Sequence, residues 1–224
     1  MTPNYDAREV DPEQRAASLI DRLKQLQPGT ELDVIMPEDR ASLLKAVLEA
    51  APRRLWFSPV EAAGGHALVR FVARVEASTP RVSEYLAWDH DRLDRILAEG
   101  MRAAGADEWQ SAERCATSFR YGLFRHIAVE NDILFPAFEE RTGMRDVGPT
   151  AVMRHEHIEI KHAVDEIVKS AASKDSEALQ RWHANLLGVL VEHNMKEEQI
   201  LYPGTDRLLD DAAREQLVQR LLLG

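Results

Sequence analysis

The segment His126-Ile-Ala-Val-Glu130-Asn-Asp-Ile-Leu-Phe-Pro136 occurs again, in altered form, as His193-Asn-Met-Lys-Glu197-Glu-Gln-Ile-Leu-Tyr-Pro203. The two copies lie 67 positions apart, and two single histidines, His90 and His157, are separated by the same distance. Each single histidine precedes its His-x-x-x-Glu segment by 36 residues. This regular spacing indicates a duplicated unit in which four helices contribute equivalent side chains.

The six side chains are predicted to point into a helical core. An α-helix turns once in about 3.6 residues, so the histidine and the glutamate of each His-x-x-x-Glu segment lie side by side. The two single histidines share their faces with apolar residues, which are Leu86, Leu93 and Leu97 beside His90 and Met153, Ile160 and Val164 beside His157. Burying imidazole and carboxyl groups without partners is costly, and a pair of bound metal ions would remove that cost.

Four imidazoles and two carboxylates form a ligand set of intermediate hardness. Such a set suits iron or manganese better than a metal that prefers thiolates. Zinc is a weaker candidate, because its structural sites usually close with four ligands. The sequence therefore predicts a two-metal site with the ligands His90, His126, Glu130, His157, His193 and Glu197.

The repeat offset also separates these ligands from similar residues nearby. His155 is two positions from His157, which places it on the opposite helix face, and its distance from His90 breaks the repeat. Asp94 follows His90 by four residues, but its counterpart in the second copy is Lys161, which is not a metal ligand here. We therefore expect His155 at the surface and Asp94 to be a solvated or supporting acid.

Three further residues lie close to the predicted ligands. Trp88 and Tyr202 are predicted to pack inside the bundle, and an influence on access or redox behaviour is the alternative. Cys115 precedes His126 by eleven residues and is predicted to be a small core residue rather than a redox participant. No residue outside the ligand set is identified as a general acid or base, so no catalytic residue is predicted.

The composition limits the classes of function. The formal net charge of -10 gives no electrostatic support for nucleic-acid binding, and no apolar run approaches the roughly 20 residues that span a bilayer. One cysteine excludes an internal disulfide and a cysteine-based zinc or iron–sulfur site. The first residues lack the features of a signal peptide. These observations predict a cytoplasmic protein that binds neither nucleic acid nor membranes.

Two regions with different patterns are expected. Residues 1–76 are predicted to form a small mixed α/β sandwich in the order βαβαββ, with elements near 5–10, 11–27, 31–36, 37–51, 54–58 and 67–72 and a turn at Gly64-Gly65. Residues 80–224 are predicted to be helical, with helices near 80–100, 107–141, 149–172 and 175–202 and an extra helix to about residue 223. The predicted fold is α+β, with an antiparallel four-helix bundle as its larger part.

Particular residues are expected to begin and end these helices. Thr79 is predicted to be the N-cap of the first bundle helix, with Pro80 at its first position, and Asp107 the N-cap of the second. Pro136 and Pro203 each lack a backbone donor and are predicted to kink or end their helices just after the ligands. Pro203-Gly204 is therefore expected to interrupt the fourth helix.

Residues 80–203 resemble the hemerythrin-like, or HHE cation-binding, family. The resemblance rests on Asp89-His90, on Glu156-His157 and on the paired Ile-Leu-Phe/Tyr-Pro ends of the two copies. It implies a non-haem di-iron centre in which Glu130 and Glu197 bridge the irons together with an oxo or hydroxo group. It also suggests that His90 and His193 share one iron, and His126 and His157 the other.

The chain departs from the oxygen-carrying members of this family. Those proteins have a His-x-x-x-His helix, whereas Lys161 stands four residues after His157 here. This difference argues against simple oxygen carriage. The chain is closer to the subgroup with four histidines and two glutamates, which resembles proteins that repair iron centres after nitrosative stress, although their cysteine-bearing N-terminal segment is absent.

Residues 1–76 resemble small domains with the fold of the SirA/TusA sulfur carriers. Those carriers place a cysteine before the proline that starts the first helix, whereas this chain has Val10-Asp11-Pro12 and no cysteine in the region. Sulfur transfer is therefore not expected. The resemblance suggests instead that this region regulates the bundle or docks a protein partner.

Three functions are compatible with the sequence. The first, which the lack of an acid–base residue outside the ligand set favours, is binding or sensing of O₂ or NO in redox or nitrosative stress. The second is an enzyme that acts on peroxide or NO. The third is an iron donor that repairs damaged iron centres.

Overall fold

The computed structural model describes residues 4–38, 40–63, 66–76, 78–145 and 147–224. The N-terminal region consists of strands β1 (Asn4–Asp6), β2 (Glu31–Met36), β3 (Leu55–Ala63) and β4 (His66–Ala73) and helices α1 (Pro12–Lys24) and α2 (Arg40–Ala50). The sheet order is β1-β2-β4-β3, with β1 parallel to β2 and the other pairs antiparallel. This confirms the predicted βαβαββ order; the Gly64-Gly65 turn lies outside the described residues.

Local chemistry explains several of these boundaries. The Asp11 side chain accepts a hydrogen bond from the Glu13 backbone N–H at 2.9 Å, and Pro12 occupies the first turn of α1. Gly29 adopts a φ of +79°, which glycine tolerates best, in the turn that leads into β2. The predicted first strand at residues 5–10 is shorter in the structure, because residues 7–9 form a 3₁₀ turn.

The remaining chain forms the predicted helical bundle. Its helices are α3 (Val82–Gly105), α4 (Trp109–Val129), α5 (Phe135–Thr142), α6 (Pro149–Ser173), α7 (Ser176–Lys196), α8 (Tyr202–Leu208) and α9 (Asp211–Leu223). Two π-helical turns, Glu130–Leu134 and Glu197–Leu201, join α4 to α5 and α7 to α8. The bundle therefore has four long helices, two of which contain a π turn, and α9 as the additional helix.

The π turns explain why the two prolines do not break their helices. Phe135 N–H donates to the Glu130 carbonyl and Tyr202 N–H to the Glu197 carbonyl, each five residues back. In a regular α-helix the following proline ring would clash with the carbonyl four residues earlier, and the wider turn relieves this clash. The expected interruption at Pro203-Gly204 is wrong, since the helix continues to Leu208.

The predicted N-caps of α3 and α4 are also wrong. α3 begins at Val82, and its first backbone N–H groups donate to Asp206 of α8, from Val82 at 2.8 Å and from Ser83 at 3.2 Å. Asp107 has a φ of +60°, and α4 begins two residues later without a side-chain cap. A residue distant in sequence has replaced the local cap of α3.

α3 also continues beyond Gly100, where the sequence predicts its end. A Cβ atom at Gly100 would lie 2.9 Å from the Cβ of Cys115 on α4. The glycine therefore allows α3 and α4 to pack closely, and it does not terminate the helix. Cys115 itself is half-buried in this helix contact.

The hydrophobic core formed by the described residues has two clusters. One joins the sheet to the bundle and includes Phe57, Tyr85, Phe135 and Tyr202, and the other lies within the bundle. Consecutive apolar residues beside the predicted ligands fall into different clusters, such as Met153 and Ile160 on either side of His157. The predicted ligands thus lie where the two clusters meet. Among the described residues, no helix has the length and apolar character needed to cross a membrane.

Replacing Asp206 by alanine should destabilise the fold by about 1–3 kcal/mol, because two N-terminal backbone donors of α3 and the Ser83 hydroxyl lose their acceptor. Thr79→Ala is the matched control and should change the free energy of unfolding by less than about 0.5 kcal/mol. Urea unfolding followed by circular dichroism measures both. Equal losses in the two variants would contradict capping by Asp206.

Candidate metal centre

The bundle brings all six predicted ligand side chains together in its interior. None of them is more than 5% exposed. Four elements supply the histidines, one each from α3, α4, α6 and α7, while both glutamates are the first residues of the π turns. The spacing of the duplicated segments thus identified residues that meet in space.

The ligand atoms fall into two groups. Subsite A consists of His90, His126 and Glu197, and subsite B of Glu130, His157, His193 and Glu197; within each, one donor atom per residue lies within 4.8 Å of the others. The expected pairing of His90 with His193 and of His126 with His157 is therefore wrong. Each histidine pair comes from the two helices of one sequence repeat, which are packed neighbours in the bundle.

A hydrogen-bond acceptor orients each imidazole through its Nδ1 atom. His126 Nδ1 lies 2.9 Å from Asp89 Oδ2, and His193 Nδ1 lies 2.9 Å from Glu156 Oε2. The other two histidines have equivalent partners, with distances of 2.7 Å from His90 Nδ1 to Glu198 Oε1 and 3.1 Å from His157 Nδ1 to Asn131 Oδ1. An Nδ1–H that donates outward leaves the Nε2 lone pair of each ring facing the interior.

Sequence reasoning assigned no role to these four acceptors, although the sequence contained a signal for them. Asp89 and Glu156 are 67 positions apart, and so are Asn131 and Glu198. The first pair directly precedes the single histidines, and the second pair directly follows the glutamates. The repeat therefore includes the residues that orient the imidazoles as well as the imidazoles themselves.

The inner donor atoms fit a bound cation. His90 Nε2 and His126 Nε2 are only 3.0 Å apart, a distance at which two lone pairs repel unless positive charge lies between them. In subsite B, the buried atoms His157 Nε2, Glu130 Oε2 and Glu197 Oε1 have no hydrogen-bond partner among the described residues. Unsatisfied buried polar atoms are rare and costly, and metal ions at the two subsites would satisfy all of these donors.

The electrostatics of subsite A also favour positive charge. Burial lowers the pKa of the His126 imidazole, but Glu130 and Asp89 outweigh burial and raise that pKa to about 10. Burial raises the pKa of the Asp89 carboxyl, but Arg92 and His126 reverse this effect and hold it below its ordinary value. An environment that stabilises a proton on a buried imidazole will also stabilise a metal cation that replaces the proton.

Asp89 connects this site to the N-terminal sheet. It accepts a hydrogen bond from Arg92 Nε at 2.8 Å, and both side chains are fully buried. Arg92 also donates to the hydroxyl of Ser58 on β3 at 3.1 Å. A continuous chain of hydrogen bonds thus runs from β3 through Arg92 and Asp89 to the imidazole of His126.

Tyr202 is buried in the bundle, as the sequence predicts, and it also contacts the two glutamates directly. Its hydroxyl lies 2.5 Å from Glu130 Oε1 and 2.9 Å from Glu197 Oε2, so it contacts both carboxylates. Burial and the two carboxylates raise its pKa well above the ordinary value, so it is a neutral donor. Trp88, by contrast, packs against Tyr85 with a ring separation of 6.0 Å.

His155 and Asp94, which the repeat offset excluded as metal ligands, lie outside both subsites. The His155 side chain is 76% exposed and lies 3.7 Å from Glu159. Asp94 is exposed, and the metal-ligand groups found among the described residues do not include it or Cys115. These positions agree with the sequence-based distinction between the six predicted ligands and the similar residues nearby.

Part of the chain is similar in sequence to iron-sulfur cluster repair proteins. Iron-sulfur cluster repair protein YtfE from Enterobacter sp. (strain 638) is 26% identical over 151 residues, which cover 62% of each chain. The YtfE proteins of Salmonella paratyphi B and Salmonella newport are 33% identical over 95 residues, which cover 39% of this chain and 43% of theirs. The chain therefore matches less than two thirds of the length of these curated relatives. No solved structure is significantly similar to it.

The family described as Hemerythrin HHE cation binding domain matches residues 81–204. This segment contains all six inner donors, their four outer acceptors and both π turns. Since the match covers more than half of the chain, the protein belongs to the hemerythrin HHE cation-binding family.

Proposed function

We propose that the protein holds two iron ions and supplies iron for the repair of damaged iron–sulfur clusters. The observation that carries this proposal is the buried set of four inward-facing Nε2 atoms and two carboxylates, each imidazole oriented by its own acceptor. The YtfE relatives, which are iron-sulfur cluster repair proteins, support repair over the gas-binding function that the sequence favoured.

The ligand assignment is part of this proposal. His90 and His126 would hold one iron, His157 and His193 the other, and Glu130 and Glu197 would bridge them together with an oxo or hydroxo group. The mixed nitrogen and oxygen donors suit iron or manganese. When bound, the iron pair supplies redox chemistry and exchangeable metal.

The donor set also suits transfer of iron to a cluster. The single cysteine, Cys115, is in neither subsite, so the site offers iron no thiolate ligand. Cluster-binding acceptors present thiolates, which are softer ligands and favour iron in iron–sulfur clusters. The residues of this chain would hold and orient the iron. The thiolates of the acceptor would favour its release, because they bind iron in the cluster.

We further propose that residues 1–76 and 80–224 are two structural units, and that the first docks a protein partner. The hydrogen-bond chain from Ser58 to His126 gives this unit a physical connection to the site. Its resemblance to the SirA/TusA fold remains a prediction, because the family match begins at residue 81. The cytoplasmic location also remains a prediction.

Glu197→Ala should lower the iron content of the purified protein below two per chain, because Glu197 supplies donor atoms to both subsites. His155→Ala is the control on the same helix as a ligand and should leave iron content unchanged, because its side chain is exposed. Metal analysis of iron-supplied protein measures both. Full iron content in Glu197→Ala, with loss in His155→Ala, would refute the ligand assignment.

Glu156→Ala should weaken binding of one of the two ions by about 10- to 100-fold, because His193 loses the acceptor that orients it. Glu159→Ala, on the same helix, is the matched control, because the Glu159 side chain is exposed and forms its ion pair with the exposed His155. Competition with a chelator at equilibrium gives both affinities. Equal affinities in the two variants would show that orientation by Glu156 has no effect.

Iron-loaded protein should transfer its iron to an apo-ferredoxin supplied with sulfide, and the Glu197→Ala variant should transfer less. Cluster formation is followed by visible absorbance, and the iron left on the donor is measured after separation. If iron stays on the protein while O₂ or NO produces a reversible spectral change, the gas-binding function is correct. Turnover of peroxide or NO would instead support an enzyme.

A further inference from the structure

We propose that the two subsites hold metal unequally, and that the Tyr202 hydroxyl makes subsite A the one that releases its ion first. This inference rests on the proposed function and identifies the positioning residue that would control iron release. Tyr202 acts through the donors of subsite A, because its hydroxyl contacts both carboxylates and lies 3.4 Å from His90 Nε2.

The four carboxylate oxygens are divided between the subsites. Glu130 Oε1 lies 3.5 Å from His126 Nε2, and Glu197 Oε2 lies 3.5 Å from His90 Nε2, so these two oxygens face subsite A. They are the same two oxygens that lie within hydrogen-bond distance of the Tyr202 hydroxyl. A metal ion in subsite A would therefore share Glu197 Oε2 with a phenol, and Glu130 Oε1 as well where that carboxylate bridges the two ions.

Subsite B has no such competitor. Glu130 Oε2 lies 3.3 Å from His157 Nε2, and Glu197 Oε1 lies 3.2 Å from His193 Nε2. Among the described residues, neither oxygen has a hydrogen-bond partner, and neither does His157 Nε2. These donors are buried and otherwise unsatisfied, so they are expected to bind metal more tightly than the donors of subsite A.

The sequence repeat provides an internal comparison. The counterpart of Tyr202 in the first copy is Phe135, whose ring lies parallel to the His157 ring at 5.7 Å, with an interplanar angle of 7°. Both residues follow their glutamate by five positions through a π turn, and both are fully buried. One hydroxyl group therefore distinguishes the two otherwise equivalent positions.

The surroundings of subsite A also give it the better access to solvent. Glu198, which accepts from His90 Nδ1, has a side chain that is 42% exposed. The acceptors for the other three imidazoles are more buried, with side-chain exposures of 0% for Asp89 and 19% for Glu156 and an intermediate exposure for Asn131. The His90 side of subsite A is therefore the side of the metal centre nearest to solvent.

These contacts lower the cost of losing the ion of subsite A. Loss of an ion from subsite A leaves Glu130 Oε1 and Glu197 Oε2 beside the Tyr202 hydroxyl, which reduces the cost of unsatisfied buried oxygens. Loss from subsite B leaves Glu130 Oε2 and Glu197 Oε1 without a partner among the described residues, because the residue equivalent to Tyr202 is Phe135, which has no hydroxyl. The state with one ion is therefore expected to retain the ion of subsite B.

Release kinetics test this proposal. Protein loaded anaerobically with two ferrous ions per chain is mixed with an excess of a ferrous chelator that absorbs visible light when bound. The wild-type protein should release iron in two phases of equal amplitude. In Tyr202→Phe the fast phase should slow by about tenfold, because the phenol O–H that competes for the charged oxygens is lost, and the slow phase should not change.

Two further variants assign the fast phase to a subsite and control for the loss of a buried hydroxyl. His90→Ala should remove the fast phase and keep the slow one, which assigns the fast phase to subsite A. Tyr85→Phe is the matched control, because Tyr85 is a fully buried tyrosine whose hydroxyl, among the described residues, contacts Phe57 and Arg125 and none of the six ligands. Both phases should be unchanged in this variant.

The outcomes separate this inference from the proposed function. Release of both ions in one phase, at the same rate in wild type and Tyr202→Phe, would overturn the inference and leave the iron-donor function intact. Faster release from Tyr202→Phe would also overturn it, because Tyr202 would then stabilise the bound ion. If the wild-type protein binds no ferrous iron, the proposed function itself fails.

Discussion

Burial of four imidazoles and two carboxylates in one place is the constraint on which the rest of this structure depends. Each imidazole can face the interior with a lone pair only if its other nitrogen has an acceptor, and Asp89, Asn131, Glu156 and Glu198 provide them. A buried acceptor needs support in turn, which Asp89 obtains from Arg92. The polar centre therefore organises a network that extends well beyond the six inner donors.

The two π turns adapt the backbone to this centre. A regular α-helix would place residues five apart at roughly 140° from each other, so an aromatic ring at that spacing would not lie beside the glutamate. The wider turn brings Tyr202 next to Glu197 and allows the proline that follows. Both repeats have the same turn, but Phe135 and Tyr202 differ by one hydroxyl. A symmetric backbone thus carries a chemically asymmetric site.

The N-terminal sheet is part of the environment of the metal centre. Ser58 of β3 accepts a hydrogen bond from Arg92 at 3.1 Å, and Arg92 in turn donates to Asp89 at 2.8 Å. A shift of β3 would therefore be felt at Asp89, which orients His126. This connection gives a physical basis for an effect of a protein docked on the sheet, and it does not require a thiol in that region.

The sequence by itself determined the six inner donors and the order of the elements, because residues that share one helix face are specified by local spacing, and the 67-residue repeat relates the two halves. Only the tertiary structure decided which histidines are neighbours, that Asp206 caps α3, and that Tyr202 reaches both carboxylates. These features depend on which helices pack together and on the change from α to π geometry. Neither is encoded in the periodicity of a single helix.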